Sequence, residues 1–247
     1  MSAHVAAAVL PPPQVAVFAR GPFQAGGVVI LDDDEVHHLK VRRVADAATI
    51  RLLDGRGGVA TARVTVEKDR ATARIVATTT VAQPPATELI VGSGDRDRFL
   101  DLVEKATELG ATRIVPVVTE RVQGVATRFA AGHVDKALKR AREALKQCGA
   151  AWAPAVVAPV VLADALKGPA PRGMSRFIAD SEGEPLPALR ERDGVQWAIG
   201  PEGGFTEAER VVLAGAGFRP VALGRSTLRY ETAALAALAV TAQSRLG

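Results

Sequence analysis

The spacing of apolar residues differs between the first third of the chain and the rest. Up to about residue 80, short apolar runs are separated by turns that contain glycine and aspartate, and Ala60, Ala62, Val64 and Val66 alternate with polar residues. A period of two residues predicts strands that are buried on one face. Several short strands of this kind favour a small barrel or sandwich, and we expect them at 28–31, 49–53, 59–66 and 71–78.

Residues 32–44 interrupt this pattern. Val36, Leu39, Val41 and Val44 stand among charged residues at helical spacing, and the aspartate cluster at 32–34 suits a helix N-terminus. A short helix is therefore expected within the β region.

After Gln83-Pro84-Pro85, apolar strands alternate with amphipathic helices. This alternation is typical of a mostly parallel sheet that is covered by helices on both faces. The expected strands lie at 89–91, 114–118, 177–179, 195–199 and 220–223, and the expected helices at 95–109, 133–147, 206–214 and 231–245. The last of these helices is apolar nearly all round, so we expect it to be buried in the core or against another subunit.

Composition and charge narrow the class of protein. Hydrophobic residues make up 48% of the 247 residues and the formal net charge is +4, as in globular proteins. The single cysteine, Cys148, excludes a disulfide framework, and the four histidines lack the spacing of a metal site. The uncharged stretch Thr232–Ser244 is too short for a membrane span, and Arg20, the first basic residue, does not fit a signal peptide. We expect a cytoplasmic protein with no metal and no membrane partner.

Basic residues are concentrated between Arg113 and Lys146, where eight basic side chains are opposed by three acidic ones. Such a run either contacts a phosphate backbone or forms the solvated face of a helix, and the composition favours the second interpretation. The aromatic content of 4% argues against a broad stacking surface for single-stranded nucleic acid.

Two glycine-containing turns follow predicted strands of the second region. The first, residues 200–204, leads into a helix at which Thr206 and Glu209 have the spacing of a capping box. The second begins at Gly224 and leads into the last helix. The first turn matches neither a dinucleotide motif nor a phosphate-binding loop, so a ligand held there by main-chain groups is favoured over a phosphate. Each turn alone could be a connection without a ligand, but ligands of open α/β sheets bind at the carboxyl ends of strands, where the two turns would share one crevice.

The same segments resemble a known family. Ile199–Glu209 (IGPEGGFTEAE) and Leu223–Ala233 (LGRSTLRYETA) resemble the small-subunit ribosomal RNA (uracil-N3) methyltransferases of the SPOUT class. The similarity covers roughly residues 15–247, and further matching segments are Gly94-Asp95-Arg96, Glu104–Gly110, Pro116–Arg121 and His37-His38-Leu39.

The resemblance implies a domain organisation and a reaction. It implies an RNA-binding, PUA-like β-barrel at 14–82, a linker at 83–87 and a SPOUT methyltransferase domain at 88–247 whose chain forms a trefoil knot. Residues 1–13 are expected to be a disordered lead-in. The implied activity is methylation of a uridine at N3 in small-subunit ribosomal RNA, by a homodimer that uses S-adenosylmethionine as the methyl donor.

The resemblance also suggests roles for particular residues. Arg229 is expected to donate to a uracil carbonyl as the ring becomes anionic, and Glu231 to accept the imide proton. For Arg229 the alternatives are a phosphate contact or an ion pair with Glu231, and Glu231 could instead stabilise the first turn of the last helix. The expected donor-binding residues are Gly200, Glu202, Gly203, Leu223, Gly224 and Leu228, with ordering of the turn as the alternative for Glu202. The expected RNA contacts are His37, His38, Lys40, Arg42, Arg43 and Arg121, with a structural role as the alternative for the histidine pair.

Four positions depart from the family pattern. Ala16, Ser93, Ala150 and Ser226 stand where the family commonly has a basic or similar residue. These departures lend weight to a second hypothesis, a catalytically silent RNA-binding protein of the same fold. A third, an unrelated α/β enzyme with a nucleotide cofactor, requires a phosphate-binding signature that the sequence lacks.

Overall fold

The computed structural model describes residues 15–122, 126–167 and 173–245. The expected disordered lead-in at 1–13 lies outside the described residues. The chain divides into two compact units, residues 1–82 and 83–247.

The first unit is a five-stranded sheet with the strand order β1-β3-β4-β5-β2 and one helix. Strands β1 and β3 are parallel, and the other neighbours are antiparallel. The small β domain is therefore confirmed, with one strand, β1, that the sequence pattern did not predict. The elements are β1 (Ala16–Phe18), β2 (Val28–Ile30), α1 (Asp33–Val41), β3 (Thr49–Leu53), β4 (Gly58–Val66) and β5 (Ala71–Thr80).

The core of this unit follows the alternation in the sequence. Ala60, Ala62 and Val64 on β4 are fully buried, while the residues between them face outward or are half-buried. Helix α1 begins as expected, because the Oδ1 atom of Asp32 accepts a hydrogen bond from the Glu35 amide at 2.9 Å.

The second unit contains a seven-stranded sheet in which every pair of neighbours is parallel. The order is β12-β10-β11-β6-β7-β8, and β9 also pairs with β7. The strands are β6 (Thr87–Gly92), β7 (Arg113–Val118), β8 (Ala155–Val156), β9 (Val160–Val161), β10 (Met174–Glu184), β11 (Gly194–Ile199) and β12 (Arg219–Val221). The helices are α2 (Arg96–Glu108), α3 (Val134–Cys148), α4 (Leu162–Ala165), α5 (Glu207–Gly215) and α6 (Tyr230–Ser244), with 3₁₀ turns at Glu120–Val122 and Ala131–His133.

Both faces of this sheet are buried, which confirms the α/β prediction. Leu89 and Trp197 point into a core shared with α2, α3 and α6. The next residues along the same strands, Ile90 and Ala198, point into a second core that contains Leu213 of α5. Continuous apolar strands are required for such a sheet, because successive side chains enter opposite cores.

Two predictions need adjustment. The strand expected at 220–223 ends at Val221, so Leu223 lies in the following loop. Helix α6 buries Tyr230, Ala234, Ala237, Leu238 and Thr241, but Ala239 is exposed and Leu235 and Ala236 are only half-buried. The described residues therefore do not cover this helix all round. The trefoil knot stays a prediction.

Part of the basic run between Arg113 and Lys146 serves helix packing. Arg140 on α3 forms an ion pair with Glu104 on α2 at 2.6 Å, and Lys146 pairs with Glu143 at 2.9 Å. Among the described helices, none is long and apolar enough to span a bilayer.

Candidate active site

A cavity of about 270 Å³ opens at the carboxyl edge of the parallel sheet, where β10, β11 and β12 end. Its walls are the turn at 200–204, the loop at 223–228, the end of β10 and the start of α6. The structure brings together around this one cavity all the residues that were expected to bind the donor: Gly200, Glu202, Gly203, Leu223, Gly224 and Leu228. This is the crevice in which open α/β sheets bind their ligands.

The turn at 200–204 is held by close backbone packing. A Cβ atom on Gly200 would lie 2.9 Å from the Gly204 Cα atom, and a Cβ atom on Gly92 would lie 2.5 Å from the Pro201 nitrogen. Only glycine fits at these two positions without moving the main chain. The turn is therefore pressed against the end of β6, and its shape is fixed by the sequence.

The start of α5 fixes the other end of this turn. The Thr206 amide donates to Glu209 Oε2 at 2.9 Å, and the Glu209 amide donates to Thr206 Oγ1 at 3.3 Å, which confirms the predicted capping box. The second carboxylate oxygen of Glu209 accepts a hydrogen bond from the Glu120 amide at 2.8 Å. Glu209 thus joins the end of the turn at 200–204 to the segment that carries Arg121.

The two candidate catalytic residues lie at the start of α6, next to the cavity. Arg229 is the N-cap residue, between the cavity-lining residues Leu228 and Tyr230. Its side chain is exposed and forms no ion pair within the described part of the chain. Glu231 instead pairs with Arg98 of α2, whose Nη1 atom is 3.7 Å from Glu231 Oε1. The alternative ion pair between Arg229 and Glu231 is therefore not formed.

Glu231 has one carboxylate oxygen that is not used by the protein. Its Oε2 atom is buried and has no hydrogen-bond partner among the residues described, while the side chain as a whole is 20% exposed. Leaving a buried carboxylate oxygen unsatisfied is costly, and a ligand donor next to α6 would remove that cost.

The candidate RNA contacts fall into two groups. His37, Lys40, Arg42 and Arg43 are exposed on α1 and just after it, and His38 is half-buried there. Lys40 is partly neutralised, since its Nζ atom donates to the Lys68 carbonyl and lies 3.8 Å from Asp69. Arg121 belongs to the second unit, where its guanidinium donates to the Gly203 carbonyl and thus contacts the turn at 200–204 directly.

Sequence reasoning missed four residues that line the cavity: Asp180, Ser181, Arg210 and Tyr230. The Asp180 carboxylate forms an ion pair with Arg210 of α5 and accepts from the Glu182 amide at 3.1 Å. Asp180 directly follows the predicted strand at 177–179. The rule that places ligands at the carboxyl ends of strands could therefore have found it.

Tyr230 remains a neutral hydrogen-bond donor at physiological pH. Burial raises the pKa of its hydroxyl well above the usual range, and the nearby carboxylates of Glu202, Glu231 and Asp95 raise this pKa further. The hydroxyl donates to the Asp95 carbonyl at 3.1 Å.

One of the four departures from the family pattern is buried inside the protein. Ser93 is fully buried, and its hydroxyl donates to the Phe129 carbonyl at 2.5 Å. By contrast, Ser226 is exposed and lines the cavity. Among the described residues, no three His, Cys, Asp or Glu side chains come together in a way that could hold a metal ion.

Comparison with protein families assigns both units. Residues 82–242 match the model of an RNA methyltransferase domain, and residues 31–76 match that of an RNA methyltransferase PUA domain. The chain belongs to this RNA methyltransferase family, which confirms the resemblance seen in the two glycine turns, the PUA-like character of the first unit and the methyltransferase character of the second.

Within the family, the chain is similar to curated proteins named ribosomal RNA small subunit methyltransferase E. The protein from Aquifex aeolicus is 29% identical over 221 residues, which cover 87% of this chain and 94% of that relative. The protein from Synechocystis is 29% identical over 220 residues, or 85% of this chain and 71% of that relative.

Solved structures of methyltransferases are also similar to this chain. The ribosomal RNA small subunit methyltransferase E from Neisseria gonorrhoeae, crystallised with S-adenosyl methionine, has a TM-score of 0.84 and 32% identity, with 95% of this chain and 98% of that one covered. A methyltransferase from Legionella pneumophila, in complex with the same cofactor, has a TM-score of 0.81 and 27% identity, with 92% of this chain and 96% of that one covered.

Proposed function

We propose that this protein transfers a methyl group from S-adenosylmethionine to N3 of a uridine in small-subunit ribosomal RNA. One observation carries the proposal: both glycine turns that resemble the family motifs line a single cavity at the carboxyl edge of the sheet. The chain also shares its fold with a ribosomal RNA methyltransferase crystallised with this donor.

The cavity suits the donor chemically. Main-chain groups of Gly200, Gly203 and Leu223, with the side chain of Leu228, would hold its adenosine and methionine parts. Glu202 places a carboxylate in the wall, which complements a positively charged ligand. When bound, the donor supplies a methyl group that is activated by its positively charged sulfur.

The residues at the start of α6 would then prepare the acceptor. N3 of uracil must lose its proton, and the ring becomes anionic as it does so. Arg229 would donate to a ring carbonyl and stabilise the developing charge. The free Oε2 atom of Glu231 would accept the imide proton, since its other oxygen already faces Arg98.

The first unit would bind the RNA. The side chains on α1 and just after it would contact RNA phosphates, namely His37, His38, Lys40, Arg42 and Arg43. Arg121 of the second unit would contact phosphates next to the turn at 200–204. The target base would have to leave its stack to reach the cavity. In this proposal residues 14–82 form the RNA-binding domain, 83–87 the linker and 88–247 the knotted methyltransferase domain, and the enzyme works in the cytoplasm on RNA or on the assembled subunit.

A homodimer is part of the proposal. Leu235, Ala236 and Ala239 present an apolar face of α6 that is not fully buried within one chain. An apolar helix face of this kind is stabilised when a second copy covers it.

The test is methyl transfer to small-subunit RNA taken from a strain that lacks this protein. With labelled S-adenosylmethionine, we expect label in the RNA and N3-methyluridine in its nucleoside digest by mass spectrometry. Binding of the RNA without any transfer would identify a catalytically silent RNA-binding protein and contradict the proposal. A different methylated nucleoside would contradict the assignment of the acceptor atom.

A further inference from the structure

Tyr230 connects the start of α6 to the N-terminus of α2. It is 2% exposed, lines the cavity, and donates through its hydroxyl to the Asp95 carbonyl at 3.1 Å. The two residues are 135 positions apart in the sequence. The family resemblance assigns no role to Tyr230.

The same residue, Asp95, is bonded to the other wall of the cavity. Its amide donates to Glu202 Oε1 at 3.2 Å, and Glu202 belongs to the turn at 200–204. Asp95 therefore holds both walls of the cavity: the turn at 200–204 through its N–H group, and Tyr230, which follows the loop at 223–228, through its C=O group.

Asp95 is itself a rigid anchor. Its Oδ1 atom accepts from the amides of Asp97 and Arg98 at 3.1 and 3.2 Å and so caps α2. Its carbonyl also accepts the Phe99 amide at 2.9 Å, and the fully buried Phe99 ring stacks on Phe129 with a centroid distance of 4.2 Å. The anchor therefore does not depend on the cavity being filled.

Gly94 has no side chain and so leaves space for the Glu202 carboxylate and the Tyr230 ring beside Asp95. A Cβ atom at Gly94 would lie 2.7 and 2.9 Å from the two Glu202 carboxylate oxygens and 3.0 Å from Tyr230 Cε1. A side chain at position 94 would therefore displace the Glu202 carboxylate and the Tyr230 ring together. The absence of a side chain here thus lets both groups approach the same main-chain segment.

We propose that Tyr230 is a positioning residue for the donor cavity, which with Glu202 fixes the separation of its two walls by hydrogen bonds to the main chain of Asp95. The inference rests on the proposed function, because it assigns the cavity to the methyl donor. Tyr230 does not exchange a proton in the reaction, since its hydroxyl stays protonated and donates its hydrogen bond to the Asp95 carbonyl.

The test compares Tyr230→Phe with the wild-type protein. The variant keeps the ring in the cavity wall and loses only the hydroxyl. We expect the dissociation constant for S-adenosylmethionine, measured by calorimetry, to rise about three- to tenfold, which is the size of one intramolecular hydrogen bond. The donor KM should rise by a similar factor, while kcat at saturating donor stays within about twofold.

Thr241→Val is the matched control. Thr241 is on the same helix, about 16 Å further along its axis, and is fully buried, with hydrogen bonds to Trp197 Nε1 at 2.9 Å and the Ala237 carbonyl at 2.7 Å. This variant should lower the unfolding temperature at least as much as Tyr230→Phe but leave donor affinity unchanged. Equal loss of affinity in both variants would mean that general destabilisation is responsible, and would overturn the inference.

A second readout does not depend on the ligand. In Tyr230→Phe and in Gly94→Ala without donor, amide hydrogen exchange should be faster in 200–204 and 223–228 than in the wild type, with β7 unchanged. Unchanged exchange in these segments, or a fall in kcat with unaltered donor affinity, would overturn the positioning role. If instead the wild-type protein binds no donor while the exchange result holds, the proposed function fails and the structural inference stands.

Discussion

At the scale of single residues, Arg229 differs from the arginines that form ion pairs in the second unit. Arg98 pairs with Glu231, Arg140 with Glu104 and Arg210 with Asp180. Arg229 sits at the cavity between Leu228 and Tyr230 with its side chain exposed. An arginine in this position is available to a ligand, and its planar guanidinium suits the carbonyl oxygens of a uracil ring.

Replacement of Arg229 tests this role. We expect Arg229→Ala to lower kcat for methyl transfer by about 100-fold or more, the usual cost of losing a donor to a developing oxyanion. Donor affinity by calorimetry should stay unchanged. Arg113→Ala removes an exposed arginine at the start of β7, at the opposite edge of the sheet from the cavity, and serves as the control, with near wild-type activity. Full activity in Arg229→Ala would remove this residue from the mechanism.

The glycines of the donor turn differ in what surrounds them. A Cβ atom at Gly200 would meet main-chain atoms of Gly204 and Phe205 at 2.9 Å, whereas one at Gly203 would meet side-chain carbons of the exposed Arg121, the nearest at 3.1 Å. Main chain cannot move aside as a side chain can.

We therefore expect Gly200→Ala to weaken donor binding by at least about tenfold, while Gly203→Ala has a much smaller effect. A bulky residue at Gly203, such as valine, should displace Arg121 and lower donor affinity as well. The measurement is calorimetric titration with S-adenosylmethionine, with circular dichroism to show that each variant is folded. Equal affinities for the two alanine variants would contradict the packing argument.

At the scale of elements, sequence periodicity identified most of the fold. Strand β3 and the helix caps at Asp32 and Thr206 lie where the pattern placed them, because alternation and capping are local signals. Strands β8 and β9, with two residues each, were missed because two residues carry no period. Strand β1 was missed because its three residues are also too few to show a period. Its place in the sheet depends instead on pairing with β3, which is distant in the sequence.

The candidate site was predictable only in part. The turns at 200–204 and 223–228 carry glycines that mark them in the sequence, and both line the cavity. Asp180 and Tyr230 carry no local signal of that kind. Their role depends on contacts with Arg210 and Asp95, which are 30 and 135 positions away in the sequence.

The two arginines that directly follow helix α1 make a testable contribution at this scale. We expect the double variant Arg42→Gln/Arg43→Gln to weaken RNA binding at every sequence tested. The slope of log affinity against log salt concentration, which is negative, should become shallower by about 1.5, because two phosphate contacts are lost. Arg74→Gln changes an exposed arginine on β5 of the same unit and is the control. An unaltered salt slope in the double variant would place the RNA on another surface.

At the scale of the whole molecule, α6 has two different sides. One packs into the core through Ala234, Ala237 and Leu238, and the other leaves Leu235 and Ala239 incompletely covered. A helix with apolar residues on both sides is most stable when both are buried. The proposed homodimer would supply the second partner.

Leu235→Arg tests the dimer. A charge on this face should shift the protein from dimer to monomer in analytical ultracentrifugation, since a buried unpaired charge is strongly unfavourable. Val211→Arg is the control, because Val211 is an apolar residue on α5 that is 62% exposed. A wild-type protein that sediments as a monomer, or a Leu235→Arg variant that remains dimeric, would show that this face of α6 is not the interface.

The central claim is that the cavity between residues 200–204 and 223–228 holds the methyl donor. A crystal structure of the protein grown with saturating S-adenosylmethionine tests it most directly. The account predicts electron density for the donor in that cavity, in contact with Gly200, Gly203, Leu223 and Leu228. Donor density at any other place, or an empty cavity in crystals of protein that calorimetry shows to be saturated, would contradict it.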